Sequence, residues 1–221
     1  MNIGVIAGDP LDTQMGVDFL RERNINAHGY PAAYSAQEQT FIMQMMSVEE
    51  RTSVIKSIFQ KAIKDGSDGF FIYCNSLSAV VDMDTMSHIF GKVVVTPLHV
   101  YKNLAKKYKR IMAIAGNNQG MAGIERTICM ENPDCYVVGM GCFPIVRAVE
   151  ESLPPEEIVR KFGFENLMSL YIGADCECLI LGCTHFGYFQ EALEKVFPAP
   201  IINPAEGMLE ILLERMERKK N

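Results

Sequence analysis

The sequence predicts an α/β protein with parallel strands divided between two lobes. Short apolar runs rich in β-branched and aromatic residues alternate with longer segments of helical periodicity, which is the pattern of βα units. These apolar runs number eight, too many for one small half of the chain. Breaks at Pro97 and Pro204 follow two of the runs and mark points where the chain can cross between lobes.

The individual elements follow from the same patterns. The predicted strands cover residues 2–6, 27–30, 69–73, 92–95, 110–115, 136–140, 178–181 and 200–202. Helical periodicity predicts helices over residues 13–23, 49–64, 100–107, 120–130, 155–173, 188–196 and 205–219. In the second helix apolar residues recur at i, i+3 and i+4, so one face is expected to be buried. Ser47 precedes Glu49 and Glu50, which predicts a capped helix start.

These elements divide into two expected domains. The first α/β lobe comprises residues 1–97 together with the C-terminal helix 204–221, and the second comprises residues 98–203. Parallel α/β sheets bind their ligands at the carboxyl ends of the strands. We therefore expect a ligand cleft between the two lobes.

Composition narrows the class of protein. A hydrophobic content of 48% and a mean hydropathy of +0.06 are ordinary for a folded globular chain. The net charge of −6 and the dispersed basic residues argue against binding to nucleic acid or to an anionic membrane. No apolar stretch is long enough to cross a bilayer, and residues 1–6 are better explained as a buried strand than as a signal peptide. The seven cysteines lack a regular spacing, which favours reduced thiols and a cytoplasmic location.

Two of the cysteines occupy matching positions. Cys74 and Cys183 each end an apolar strand, and they are 183 − 74 = 109 positions apart, about half of the 221-residue chain. Backbone N–H groups at the start of the following helix stabilise a thiolate at such a position. Asn75, Ser76 and Thr184 add hydrogen-bond donors for a carboxylate or another anion. The alternative is that each cysteine is a small buried hydrophobic residue.

Two thiols at opposed strand ends suit one kind of chemistry. A disulfide oxidoreductase usually carries Cys-x-x-Cys, which is missing from this sequence. The isolated pair Cys176 and Cys178 does not supply the four ligands of a structural zinc site, so no metal is expected. Inverting a carbon centre requires a base on one face and an acid on the other. A thiolate and a thiol meet that requirement and exchange roles in the reverse reaction.

The residues around both cysteines resemble a known family. Tyr73-Cys74-Asn75-Ser76 and Gly182-Cys183-Thr184-His185 are similar to the paired signatures of the cofactor-independent aspartate/glutamate racemase superfamily. The second has the form typical of glutamate racemases. The segment 142–150 resembles the one that holds a supporting glutamate in those enzymes. The resemblance implies two flavodoxin-like (Rossmann-like) parallel-sheet lobes related by pseudo-twofold symmetry, with the active site in the cleft between them.

The same resemblance implies roles for individual residues. Cys183 would remove the α-proton of the L-enantiomer and Cys74 that of the D-enantiomer. His185 and an N-terminal aspartate, for which the candidate is Asp9, would assist the thiols, with Glu150 nearby. The remaining polar residues of the two motifs would hold the α-groups of a small amino-acid substrate: Asn75, Ser76 and Thr184. Neither pyridoxal phosphate nor any other cofactor is implied.

Two segments depart from the glutamate racemase pattern. Ala7-Gly8-Asp9-Pro10 stands where those enzymes have Asp-Ser-Gly, and it is closer to the Gly-Pro opening of the aspartate racemase branch. Asp9 is therefore either a displaced site residue or a turn residue before proline. Asn117 and Asn118 replace a threonine-bearing loop that grips the substrate's side-chain carboxylate. Their amides can hydrogen-bond a carboxylate or an uncharged polar group, or they form a solvent-exposed turn.

The leading functional hypothesis is a cofactor-independent racemase of an acidic amino acid, with glutamate slightly ahead of aspartate. The first alternative is a racemase or isomerase of another small carboxylate or a hydantoin on the same fold. The second is a non-catalytic amino-acid-binding protein on a racemase scaffold. No nucleic-acid or membrane partner is expected, and the oligomeric state stays open, with a homodimer as one option.

Overall fold

The chain folds into two compact units. The computed structural model describes residues 1–35, 38–39, 42 and 45–219. One unit comprises Met1–His99 and Ala205–Asn221, and the other comprises Val100–Pro204. Each contains a four-stranded parallel sheet with flanking helices. The predicted α/β class with two parallel-sheet lobes is confirmed.

The first unit is built on strands β1 (Asn2–Ala7), β2 (Asn26–Pro31), β3 (Gly69–Ile72) and β4 (Val93–Val95). Their order in the sheet is β2-β1-β3-β4, and all neighbours are parallel. The helices of this part of the chain include α1 (Pro10–Arg21), α2 (Val48–Lys64), α3 (Asn75–Val80) and α4 (Met83–Phe90). Because β1 and β3 pair side by side, the residues that follow them lie at the same edge of the sheet.

The second unit repeats this arrangement with strands β5 (Arg110–Ala115), β6 (Tyr136–Gly141), β7 (Cys178–Gly182) and β8 (Ile201–Ile202). Their order is β6-β5-β7-β8, again with parallel neighbours. Helix α5 (Pro97–Lys107) begins in the first unit and continues into this one. The following helices are α6 (Asn118–Glu131), α7 (Phe143–Glu150), α8 (Pro155–Lys161), α9 (Phe164–Gly173) and α10 (Gln190–Glu194). The chain ends in α11 (Pro204–Arg218). Both sheets thus have the 2-1-3-4 strand order of flavodoxin-like folds.

The central strands have the continuous apolar sequence that a parallel sheet with two covered faces requires. β3 and β7 are buried at every position. Helix α2 packs its predicted face inward through Ile55, Phe59 and Ala62, and the rings of Phe59 and Phe70 lie 4.2 Å apart. The predicted cap of this helix is confirmed as a reciprocal pair between Ser47 and Glu50.

All eight predicted strands are confirmed to within one residue at each end. The single helix predicted over residues 155–173 is wrong, since α8 ends at Lys161 and α9 begins at Phe164. Gly163 separates them with φ of 64°, a left-handed conformation that glycine adopts readily. The helix predicted over residues 188–196 is instead a 3₁₀ helix, Thr184–Phe189, followed by α10. The short helices α3, α4 and α7 were not predicted.

Among the described residues, none of the helices combines the length and the apolar character that a membrane span needs.

Candidate active site

In the first unit, Cys74 stands directly between β3 and α3. Its side chain is buried, with 3% of the residue exposed, and the Ser76 hydroxyl lies 3.4 Å from the sulfur. Burial and, next, the negative charge of Asp12 raise the pKa of the Cys74 thiol to about 12, while the Ser76 hydroxyl acts in the opposite direction. Cys74 is therefore a protonated thiol near neutral pH.

Asp9 follows β1 at the same sheet edge and caps helix α1. Its Oδ1 accepts the backbone N–H of Asp12 at 3.0 Å, and its carbonyl accepts the Thr13 hydroxyl at 2.6 Å. The residue is buried, with 3% exposed. Asp9 thus caps α1, and its carboxylate is held at the end of the strand beside β3.

Asp12 is a residue that the sequence reasoning missed. It lies in the first turn of α1 with only 2% exposed, and its charge acts on the pKa of Cys74. An acidic residue in a first helical turn normally complements the helix dipole, so its sequence position carried no other signal.

Asn75 and Ser76 open helix α3 immediately after Cys74. Both are buried, at 3% and 7% exposed. The hydroxyl of Ser78, one turn along, donates to the Cys74 carbonyl at 2.7 Å and so helps to fix the backbone at the thiol. The first unit therefore brings together the thiol and both polar residues predicted from the first motif.

In the second unit, Cys183 stands at the end of β7 and is half-buried. Its sulfur lies 3.7 Å from Nδ1 of His185, which is 2% exposed. Thr184 between them is also buried. A carboxylate oxygen of Glu150 lies within 4.8 Å of a ring nitrogen of His185. The predicted thiol, imidazole and carboxylate thus form one cluster within this unit.

The backbone around Cys183 is fixed by the 3₁₀ turn that follows it. Phe186 donates its N–H to the Cys183 carbonyl at 3.0 Å. The rings of Phe186 and Phe189 are fully buried in the core of the unit, with centroids 5.3 Å apart. These rings anchor the turn and hold His185 beside the sulfur.

Gly116 provides the space that the sulfur occupies. A Cβ at this position would lie 2.9 Å from Sγ of Cys183 and 3.1 Å from Cγ2 of Val146. Real Cβ atoms essentially never approach a neighbour so closely, so a side chain at position 116 would displace the thiol. The sequence reasoning did not single out this glycine, because the contact joins residues far apart in the chain.

Asn117 and Asn118 follow β5 at the same edge of the second sheet. Asn117 is half-buried, and its Oδ1 accepts the Gly120 N–H at 2.8 Å, which caps α6. The peptide joining the two asparagines packs on Gly141, where a Cβ would lie 2.3 Å from the Asn117 carbonyl carbon. The side-chain oxygen of Asn117 thus serves the helix, and the donors of its amide are the groups suited to a ligand.

Comparison with known proteins shows what this chain is similar to. No protein-family model matches the chain. It is 24% identical over 206 residues to a glutamate racemase of Trichodesmium erythraeum, covering 91% of this chain and 76% of that protein. It is 25% identical over 175 residues to a glutamate racemase of Clostridium botulinum, covering 76% of this chain and 65% of that protein.

Solved structures agree with these relatives. A crystal structure of glutamate racemase from Francisella tularensis, in complex with D-glutamate, matches 99% of this chain and 81% of its own with a TM-score of 0.78 and 19% identity. An aspartate racemase of Picrophilus torridus matches 97% of this chain and 94% of its own, with a TM-score of 0.68 and 13% identity. The resemblance to the aspartate/glutamate racemase superfamily is confirmed.

The fold of this superfamily extends beyond enzymes named for acidic amino acids. An allantoin racemase from Klebsiella pneumoniae matches 99% of this chain and 89% of its own, with a TM-score of 0.65 and 10% identity. The curated relatives, both glutamate racemases, support an amino-acid racemase.

Proposed function

We propose that the protein is a cofactor-independent racemase of an acidic amino acid, with glutamate ahead of aspartate. The observation that carries this proposal is the cluster in the second unit, where the Cys183 sulfur lies 3.7 Å from Nδ1 of the buried His185. An imidazole at this distance can accept the thiol proton and leave a thiolate base. The carboxylate of Glu150 near the ring stabilises the imidazolium that results.

In the proposed reaction, the Cys183 thiolate removes the α-proton of the L-enantiomer while the Cys74 thiol protonates the opposite face of the α-carbon. Starting from the D-enantiomer, the two thiols exchange roles. The high pKa of Cys74 supports its assignment as the acid in the L-to-D direction, because its proton is retained near neutral pH. Each thiol ends the reaction in the protonation state that the other enantiomer requires.

The energetic difficulty lies in the weak acidity of the α-proton. Each pKa unit of mismatch between the donor and the accepting thiolate costs about 1.36 kcal/mol. Donors aimed at the substrate carboxylate must therefore stabilise the negative charge that develops there in a site shielded from water. We assign this role to Asn75, Ser76 and Thr184, which are all buried beside a thiol in their own unit.

The preference for glutamate rests on the two curated relatives, both glutamate racemases. The amide of Asn117 would hydrogen-bond the side-chain carboxylate. Because an amide has donors and carries no charge, it also suits an uncharged polar group. This property and the allantoin racemase of like fold keep a hydantoin or another small carboxylate as the second candidate.

Exchange of the α-proton with solvent tests the function directly. The protein is incubated in D₂O with the L- and D-forms of glutamate and aspartate and with allantoin, and incorporation of deuterium at the substrate's stereogenic carbon is followed by NMR. We expect exchange with glutamate first. Exchange with allantoin alone would replace the first candidate by the second, and no exchange with either amino acid would contradict the first candidate.

The mechanism is tested with matched cysteine variants. Cys74→Ala and Cys183→Ala should each abolish racemisation, since each removes one of the two proton carriers. Cys129→Ala is the control, because Cys129 is a half-buried thiol that contacts the Cys135 carbonyl at 3.7 Å on another part of the second unit. Undiminished racemisation in either of the first two variants would refute the two-thiol scheme while leaving the activity itself established.

A further inference from the structure

The side chain of Gln39 contacts Cys74 in the first unit, and the racemase mechanism above makes no use of it. Its Nε2 donates a hydrogen bond to the Cys74 sulfur at 3.6 Å. Gln39 is half-buried and belongs to the segment that follows β2. An amide N–H directed at a sulfur favours the thiolate over the thiol.

The local backbone orients this glutamine. The Ser35 hydroxyl accepts the Glu38 N–H at 3.1 Å, and the Ser35 carbonyl accepts the Gln39 N–H at 2.9 Å. In return, the Glu38 carboxylate accepts the Tyr34 N–H at 2.7 Å. This pairing resembles a helix capping arrangement, in which side chains and backbone satisfy each other reciprocally. These hydrogen bonds hold the Gln39 backbone in place and so set the direction from which its side chain reaches Cys74.

The space for the Gln39 amide exists because residue 8 is a glycine. A Cβ on Gly8 would lie 1.9 Å from Nε2, 2.2 Å from Cδ and 2.7 Å from Oε1 of Gln39. All three of its nearest neighbours are therefore atoms of this one amide group. A methyl group at position 8 would displace the amide from the sulfur although residue 39 remained a glutamine.

We propose that Gln39 is a positioning residue that orients the Cys74 side chain and stabilises its thiolate. The Gln39 amide can occupy this position only because residue 8 is a glycine. The effect of this donor depends on the surroundings of the sulfur. Burial and the charges of Asp12 and Asp9 oppose the thiolate, whereas the Ser76 hydroxyl and the Leu77 backbone N–H favour it. The Gln39 amide is a further donor, and it acts on the state left after Cys74 has given up its proton. An uncharged amide does so without adding a net charge to the site.

The role of Gln39 in catalysis rests on the proposed function, but the test below does not depend on racemase activity. The test measures how fast a small reagent, iodoacetamide, alkylates Cys74 in the folded protein between pH 7 and 10, with each cysteine followed separately by peptide mass spectrometry. Cys183 in the same digest is the internal control. Racemase turnover is not measured, so a negative result here leaves the proposed function untouched, and the converse also holds.

Gln39→Met keeps the volume of the side chain over the sulfur but removes the N–H donor, and Gly8→Ala displaces the donor while leaving it in the chain. Each should slow the alkylation of Cys74 by about threefold across the pH range, because a rise of one unit in the pKa of the thiol cuts the thiolate fraction tenfold and partly restores its nucleophilicity. The Cys183 rate should not change.

The double variant Gly8→Ala with Gln39→Met decides the assignment. If both changes act through the same hydrogen bond, the double variant reacts as slowly as either single variant and no slower. Unchanged or faster alkylation of Cys74 in Gln39→Met would overturn the proposal, since the amide would then be only a cover. Multiplicative effects in the double variant would overturn it as well.

Discussion

The sulfur of Cys183 lies where a side chain at Gly116 would have to be. A Cβ on Gly116 would approach Sγ to 2.9 Å, so the thiol can hold its place beside His185 only while position 116 carries no side chain. Gly116 directly follows β5 and Cys183 directly follows β7, and these strands are neighbours in the sheet. The reactive position is thus set by two adjacent strand ends rather than by one motif.

The first prediction concerns this contact. Gly116→Ala should reduce the rate of α-proton exchange by about 100-fold, because a misplacement of about 1 Å at a reacting group has an effect of that order. Gly173→Ala is the matched control, since a Cβ there meets nothing within 4 Å. It should leave the exchange rate unchanged and should not lower the free energy of unfolding. Equal exchange rates in the two variants would show that the Gly116 contact is unimportant.

The second prediction separates the two roles of Asp9. Asp9→Asn retains a side-chain oxygen that can cap α1, so its free energy of unfolding should stay within a few tenths of a kcal/mol of the wild type. Asp9→Ala removes the cap and should cost about 1 kcal/mol. If the carboxylate also assists Cys74, both variants lose α-proton exchange. Full activity in Asp9→Asn would limit Asp9 to its structural role. Urea unfolding and NMR exchange together provide the comparison.

The third prediction concerns substrate binding by Asn117. Asn117→Ala should lower the free energy of unfolding by about 1 kcal/mol because the cap of α6 is lost, whereas Asn117→Ser should retain most of the stability. Both lack the amide donors, so the KM for glutamate should rise about tenfold in each. An unchanged KM in Asn117→Ser would remove Asn117 from the substrate site.

The fourth prediction follows from two buried thiols. Burial raises the pKa of both Cys74 and Cys178 to about 12. Between about pH 9 and pH 12 the unfolded chain loses these protons while the folded chain keeps them, so the free energy of unfolding falls as pH rises. The stabilisation is fully present below this window.

Replacing either cysteine should remove its contribution to the decrease in the free energy of unfolding at high pH. Between pH 7 and pH 10 the decrease should be smaller by about 1 kcal/mol in Cys74→Ala than in the wild type, and Cys178→Ala should show a similar reduction. Urea unfolding at both pH values measures it. An identical fall in the wild type and both variants would mean that these thiols already ionise in the folded protein.

The strands and the two motif cysteines could be predicted because their signals are local. A run such as Leu179 to Gly182 is apolar at every position, as a strand covered on both faces requires, and the abrupt change to polar residues marks where it ends. The ends of the helices were harder to predict than the strands. The break at Gly163 interrupts a segment of continuous helical periodicity, and the short helices α3, α4 and α7 span too few turns to show a period.

The supporting residues of the site could not be predicted from local patterns. Gln39 meets Gly8 and Cys74 across 31 and 35 positions of the chain, and Gly116 meets Cys183 across 67. Such pairs are created by the parallel sheet, which gathers strand ends from distant parts of the sequence at one edge. A single sequence contains no signal for which loop residue will face which thiol.

The division of the chain also determines the order in which its parts can be completed during synthesis. Residues 100–204 form one continuous unit, whereas the first unit includes α11 from the end of the chain. Arg215 of that helix donates to the Val94 carbonyl at 2.9 Å, and Met208 and Leu212 are fully buried. The first unit therefore stays incomplete until α11 is made, whereas residues 100–204 are all synthesised before that helix and can fold earlier. The residues of the first unit that α11 contacts, Val94 among them, accordingly lack this helix for the longest time and stay open to chaperones and to aggregation.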